Sequence, residues 1–570
     1  MSQWADEVNP REPLPEYPRP QMQRDEWKNL NGLWSYAIVP SLEDVPQLWD
    51  GDILVPFGVE SALSGVKKRV GPDNRLWYRR TFTIPEDWDG KRLLLHFGAV
   101  DWKTDVWVNG QKLGRHQGGY TSFSFDITDE IKPGSEQQVT LAVWDPTDDG
   151  FQPRGKQVRD PGGIFYTPTT GIWQTVWLEP VPEVAIEDLK MVPNIDNSYL
   201  HLTADGNVEE SGYTVQATAF ADGEQVGEAS GKLGEELDIS IPNTKLWSPD
   251  NPFLYDLTVT LLKDGQEVDQ VESYFGMREI RLGTASDGYT RLFLNDEPLF
   301  HFGLLDQGFW PGGIYTAPTD EALKYDIQVT KDLGFNMIRK HVKVEPNRWY
   351  YWADRMGILV WQDMPNGDER FRRGGEDIER VAQSAYDFKR EFKAMIDQFY
   401  NFPSIVTWVP FNEGWGQFET AKIADLTKRL DPTRLVDIPS GWQDRGVGDM
   451  HDIHSYPGPD MPPTEDDRAS ILGEFGGQAL VVKDNLWVQD FSRAPSHYET
   501  STSEEKLHST YDQLIQKLMP LKEKGLAGAV YTQTTDVESE VNGMMTYDRE
   551  VIKFDEEHLR EMHEKLIEGE

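Results

Sequence analysis

The sequence predicts a multidomain protein: two antiparallel β-sandwiches over residues 1–181 and 182–282, then a (β/α)8 TIM barrel over 283–570. Three observations carry that reading. The first half of the chain is a series of short alternating apolar runs between turn residues, with no helical period of useful length. The second half alternates apolar, β-branched runs with amphipathic stretches. Two of those apolar runs end in a glutamate followed by small residues, at Glu413 and Glu474.

Taken in order, residues 1–26 are proline-rich and polar and read as an extended arm laid on the first domain. Strand patterns follow over 77–84, 92–97 and 105–108, the last ending at Asn109-Gly110, a strong two-residue hairpin signal. From Pro182 a second all-β module shows strand patterns over 200–204, 213–219, 254–262 and 279–282, the spacing of an immunoglobulin-like sandwich. Beyond Leu282 the sequence predicts strands over 299–306, 336–341, 358–364, 405–413, 435–439, 450–456, 471–475 and 527–534. Amphipathic helices are predicted over 319–333, 376–400 and 502–524. On this count Glu413 ends the fourth barrel strand and Glu474 the seventh.

Composition removes several function classes. A net charge of −41, from 97 acidic against 56 basic residues, repels phosphate backbones and anionic membranes, so neither nucleic acid nor membrane is expected as a partner. The acid is spread along the chain and reads as a solvated surface; a high-salt habitat and an ordinary acidic enzyme fit it equally. There is no cysteine, hence no disulfide or thiolate chemistry. No run approaches the ~18 apolar residues of a membrane span, and the first residues lack a leader pattern. The default expectation is a soluble, cytoplasmic protein, and a trimmed export signal would leave the same picture.

The stretch Ser404 to Gln417 organises the rest. Its first half is apolar through Phe411, as in a strand buried on both faces, and then turns abruptly to Asn412-Glu413 and two glycines. Carboxylates where buried strands leave a parallel barrel sit where such barrels keep their chemistry. The pair suggests a general acid/base and a nucleophile at a sugar's anomeric carbon.

The barrel half resembles glycoside hydrolase family 2, the β-galactosidase and β-glucuronidase family. The likeness is carried by Asn336-Met-Ile-Arg339 with Trp349 to Val360, and by Asn401-Phe-Pro-Ser404 through Asn412-Glu413. Gly171 to Glu179 resembles the closing strand of the family's sugar-binding jelly roll, and the domain order matches: jelly roll, immunoglobulin-like sandwich, barrel. The resemblance implies that Glu413 is the acid/base, that Asn412 orients the sugar's 2-hydroxyl, that Glu474 is the nucleophile, and that Tyr456 hydrogen-bonds it.

Departures from the family bear on the sugar. The family's glucuronidases hold the sugar carboxylate with Asn-x-Lys after strand eight, where this chain has Glu540-Val-Asn542. A uronate there would meet an acid, so a neutral glycone is expected, with Lys553 and Arg154 as the cations able to replace the missing one. The large β-galactosidases carry a histidine where Gly477 stands and a tryptophan platform where Tyr531 stands. Their strand-two histidine corresponds to His341 one place early, a shift that reverses a strand's face. Their magnesium site lacks clear counterparts, so no metal or cofactor is expected.

Further candidates come from strand ends and loops. Asp306 and Gln307 end strand one, where glycone hydroxyls are held or the residues are structural. Asp363 suits a support for Arg339. Trp415 suits a leaving-group platform or loop core, and Arg154 lies in a loop that the family sends over the barrel mouth. His451, Asp452 and His454 form a tempting metal trio, but strand alternation puts them on different sides or depths. The sum is a retaining exo-glycosidase for a small carbohydrate substrate, with a β-galactoside-type glycone first. Galactofuranosides, α-L-arabinopyranosides and glucuronides are alternatives, as is a non-catalytic carbohydrate-binding protein. Assembly into a homo-oligomer is left open.

Overall fold

In the computed structural model, the described residues are 1–41, 44–208, 212–368, 375–489, 491–495 and 498–569. The first sandwich stacks a six-stranded sheet, built around Asn74–Phe82 and Gln137–Trp144, on a four-stranded one containing Val176–Val181 and Arg92–Phe97. Trp34, Tyr78, Phe97, Val106, Leu141 and Leu178 fill the space between them. Each such side chain stabilises the fold by about 1.5–3 kcal/mol through burial. The Asn109-Gly110 hairpin forms as its sequence demands. Both residues have positive φ, 50° and 86°, and join Lys103–Val108 to Gln111–Gln117. The second sandwich pairs a three-stranded sheet with a four-stranded one around Leu189, Leu202, Val215, Leu257 and Val271.

The barrel strands are His301–Asp306, Met337–Lys340, Leu359–Asp363, Ile405–Val409, Leu435–Val436, Met450–Ser455, Ala469–Gly476 and Leu526–Thr532. Neighbours in that order, the eighth and first included, pair in parallel, except that strands five and six share no ladder. Strands five and six meet through Asp449, whose N–H donates to Val436 O at 2.8 Å and whose carboxylate accepts from Val436 N at 2.7 Å. The helices are amphipathic, and Thr319, Ser503 and Asp555 cap three of them. Ser503 Oγ accepts from Lys506 N at the start of Glu504–Glu523, with Glu504 and Glu505 in the first turn where the helix dipole favours acid.

Two features differ from the sequence reading. The strand Ile280–Thr284 does not complete the second sandwich. It pairs with Thr290–Leu294 beneath the barrel, where Ile280, Leu292 and Leu294 pack on the interior residues Leu305, Met337 and Trp361. Its alternation showed a half-buried strand but not which partner buries it. The arm also reaches beyond the first domain. Tyr17 and Arg19 bind Glu179 at 2.6 and 2.7 Å, Arg24 binds Asp269 of the second sandwich at 2.7 Å, and Trp4 packs on Trp310 of the barrel. The arm therefore ties all three domains together.

Candidate active site

Glu413 and Glu474 meet at the C-terminal mouth of the barrel. Glu474 lies within strand seven, buried, while Glu413 sits four residues past the end of strand four. Its backbone is left-handed, with φ of 52°, and its N–H is held by Ser440 O at 2.9 Å. A non-glycine residue in that conformation costs on the order of 1 kcal/mol or more and persists only where the surroundings impose it. Gly414 and Gly416, at φ 76° and 56°, complete the turn in conformations that side chains resist. The turn aims the Glu413 carboxylate across the mouth. Carboxylate oxygens of the two glutamates lie within 4.8 Å of one another.

A buried network of donors sets their charge. Arg339 donates to Glu474 Oε1 at 3.3 Å, to both oxygens of Asp363 at 3.1 and 3.0 Å, and to Asn412 Oδ1 at 2.7 Å. Tyr456 donates to Glu474 Oε2 at 2.6 Å and lies 2.7 Å from Thr532 Oγ1. His454 Nδ1 stands 2.9 Å from Glu413 Oε1 and 3.4 Å from Glu474 Oε2. Burial by itself would raise the Glu474 pKa, but His454, His341, Arg339 and the Tyr456 hydroxyl outweigh it and hold it down to about 2. His341 is itself pushed well below the ordinary histidine range by burial and by Lys156, so at neutral pH the pull comes from His454 and Arg339. For His454 burial works the other way, yet the charges of Glu474, Glu413 and Asp452 raise its pKa. His454 Nδ1 thus lies between the carboxyl groups of Glu413 and Glu474, and its charged form is favoured there.

The other expected residues divide. His341 does face the site. It lies two residues from Arg339, on the same side of strand two, with Nδ1 3.1 Å from Asp363 Oδ2 and 4.0 Å from Glu474 Oε1. Asp363 therefore supports both. Lys340, between them, points the other way to Asp306 and Glu345. Gln307 donates to Gln533 Oε1 at 2.8 Å, and Gln533 donates to Asn542 Oδ1 at 3.0 Å, a chain along the mouth.

Three of the candidates are engaged within the protein. Asp306 is engaged inside the protein, accepting from Lys340 Nζ at 2.5 Å and Gly308 N at 2.9 Å, as a buried ion pair requires. Tyr531 points outward from strand eight, against Tyr511 and Phe475 under the helix Glu504–Glu523; the next residue, Thr532, faces the site instead. Trp415 is buried and stacked on Phe165 of the first sandwich at 5.2 Å and 15°, so a loop ring covers the face expected to hold a leaving group. Arg154 is buried in the expected loop, where its charge lowers the pKa of Asp145 against the larger effect of burial.

The histidine–aspartate trio of strand six does not converge. His451 turns out to Glu465 at 2.6 Å, Asp452 accepts from Ser440 Oγ at 2.5 Å, and His454 alone reaches the glutamates. Glu413, His454 and Glu474 have the mutual spacing of metal ligands, and His454 Nδ1 faces the oxygens of both acids. Sequence reasoning missed that role, as it missed Ser440, 3.0 Å from His454 Nε2, and Lys156. The strand-six pattern gave the face of His454, and only the barrel's closure gave its partners.

Comparison with known proteins places the chain. Three family models match: Glycosyl hydrolases family 2, sugar binding domain, over residues 27–178; Glycosyl hydrolases family 2, over 184–278; and Glycosyl hydrolases family 2, TIM barrel domain, over 316–466. A putative beta-glucuronidase of Formosa agariphila is 28% identical over 397 residues, covering 66% of this chain and 46% of that protein. A beta-galactosidase of Thermoanaerobacter pseudethanolicus is 27% identical over 376 residues, covering 63% of this chain and 47% of that protein. This chain thus spans about half the length of these curated relatives. The solved beta-D-glucuronidase of Dictyoglomus thermophilum superposes with a TM-score of 0.76 at 20% identity, over 96% of this chain and 98% of that one, a likeness of fold. The chain belongs to glycosyl hydrolases family 2.

Proposed function

We propose that the chain is a retaining exo-glycosidase acting on terminal β-galactoside-type sugars. The observation that carries the retaining part of this reading is that one carboxylate oxygen of Glu413 and one of Glu474 lie within 4.8 Å of each other. Retaining sites hold their carboxyls about 5–5.5 Å apart, whereas inverting sites leave about 6.5–9.5 Å for a water between them. Glu474, kept ionised by Arg339, His454 and Tyr456, attacks the anomeric carbon. Glu413 gives its proton to the departing glycosidic oxygen, and a glycosyl ester on Glu474 remains. Glu413 then takes a proton from an incoming water, whose oxygen displaces Glu474 and restores the starting stereochemistry. Two inversions leave net retention. Tyr456 donates to Oε2 of Glu474 and leaves its other oxygen for attack.

A neutral glycone is supported by the loop after strand eight. Glu540 accepts from the Tyr166 hydroxyl, and Asn542 is bonded to Gln533. Lys553 brings no cation to a uronate, because its Nζ is buried on Asp536 Oδ1 at 2.6 Å and on two backbone carbonyls. Relatives under both the galactosidase and glucuronidase names leave the glycone to the residues of this mouth.

The test is to follow product stereochemistry by NMR and to compare kcat/KM for nitrophenyl β-galactoside, β-galactofuranoside, α-L-arabinopyranoside and β-glucuronide at one salt concentration. Retention with a neutral sugar preferred is expected. An inverted first product, or the glucuronide as best substrate, overturns the corresponding half of the reading.

A further inference from the structure

A cation unforeseen in the sequence enters the mouth from the first sandwich. The loop of residues 150–157 docks on the barrel: Arg154 and Gly155 N–H groups donate to Asn366 O at 2.8 and 2.9 Å. Gly155 has φ of 61°, and a Cβ there would come within 2.3 Å of Val342 O, so only glycine permits the approach. That approach carries the next residue, Lys156, beside His341, whose pKa its charge depresses along with burial.

Lys156 is 6% exposed, with Nζ 5.6 Å from the Tyr166 ring centroid. Its ammonium makes no hydrogen bond or ion pair with any described residue. Its charge also acts on Glu540, whose carboxyl burial pushes up to about 7 despite that pull. On the same wall Glu540 Oε1, Asn542 Nδ2 and Gln307 Oε1 are buried without a partner at full hydrogen-bond geometry among the described residues, Asn542 acting on the Glu540 and Tyr498 groups beside it. Buried polar groups normally have partners, and four together suit a polyhydroxylated ligand.

We propose that Lys156 and Glu540 together read the end of the glycone remote from carbons 1 and 2, and select hydroxyl groups there over a carboxylate. The assignment deepens the glycosidase reading and rests on it. Asn412 and Glu413 follow strand four, and Glu540 follows strand eight, across the barrel. A sugar with its anomeric carbon between Glu413 and Glu474 turns its far end to Lys156 and Glu540. A hydroxyl can accept from Lys156 Nζ and donate to Glu540 Oε1 at once. A carboxylate can only accept, and meets Glu540 as a second acid.

The test is calorimetric and needs no turnover. Dissociation constants are measured for galacto-configured isofagomine, its form lacking the hydroxymethyl oxygen, and its uronic form, on the wild type, Lys156→Met and Glu540→Gln. The wild type should prefer the first. Lys156→Met should weaken it about ten- to a hundredfold, as loss of a charged hydrogen bond does, and weaken the deoxy form much less. Glu540→Gln should narrow the discrimination against the uronic form. Equal weakening of all three ligands by Lys156→Met, no weakening, or tightest wild-type binding of the uronic form would overturn the proposal. If Lys156→Met does not fold, Glu540→Gln carries the same comparison. Failure of product retention with this binding pattern intact would count against the mechanism alone.

Discussion

Arg339 Nη2 donates to Asn412 Oδ1 at 2.7 Å, and that bond fixes which end of the Asn412 amide meets the ligand. A guanidinium has no acceptor, so the amide oxygen must face it, and the NH2 is left for the mouth. On the proposed reading, Asn412 would act as a donor to the sugar's 2-oxygen. Bonds to this oxygen strengthen in the transition state and supply several kcal/mol. Asn412→Ala should lower kcat/KM sharply on 2-hydroxy glycosides and hardly at all on 2-deoxy glycosides. Equal losses on both would remove the assignment.

The roles of the two glutamates separate by rescue and by leaving group. Glu474→Ala should be inactive, and added azide should restore turnover as a glycosyl azide of inverted configuration, since a small anion can fill the cleared space. Glu413→Gln should slow substrates with poor leaving groups by about 10²–10⁴-fold and spare activated aryl glycosides, which need no proton. An unimpaired Glu474→Ala, or a uniform loss for Glu413→Gln, would contradict the pairing.

His454 gives a pH dependence with a definite sign. Its pKa is raised by Glu474, Glu413 and Asp452 against the opposing effect of burial. The stability it contributes is therefore complete below the unfolded value of about 6.5 and is lost as pH rises through its folded value. Glu474, held down to about 2, contributes stability above about 4.5 that disappears as pH falls towards 2. Wild-type Tm should fall on the alkaline side more steeply than that of His454→Gln, and the alkaline limb of kcat/KM should change with it. Parallel Tm curves for the two proteins from pH 6 to 9 would exclude a charged His454 between the two acids.

Arg339 is fully buried between Asp363, Asn412 and Glu474. Arg339→Met leaves two buried carboxylates without their cation and should cost about 3–5 kcal/mol in chemical denaturation. Arg339→Lys keeps the charge but cannot bind both Asp363 oxygens as a planar fork, so an intermediate loss is expected. A Met variant as stable as wild type would show that the network adds nothing to the fold.

Much of the architecture was legible from residue order. Period-two runs, the Asn109-Gly110 turn and the alternation of strands with amphipathic helices are local, and local patterns report which face is apolar. They also gave the two strand-end glutamates, because a buried strand that ends in Glu and glycine has few structural uses for the acid. Strand phase places both residues: His341 shares the face of Arg339, against the reversal expected from its one-place shift, while Tyr531 takes the face opposite Thr532.

The sequence by itself therefore determined the order of domains, the barrel and the pair of carboxylates, all written in spacing along one chain. The tertiary structure decided who meets whom. Phe165 covers Trp415, the arm crosses three domains, the hairpin at Ile280–Thr284 floors the barrel, and Lys156 arrives beside His341 from a different domain. These contacts join residues far apart in the chain. Which pairs form depends on the closure of the barrel and the docking of the sandwiches, and no period in the sequence encodes that geometry.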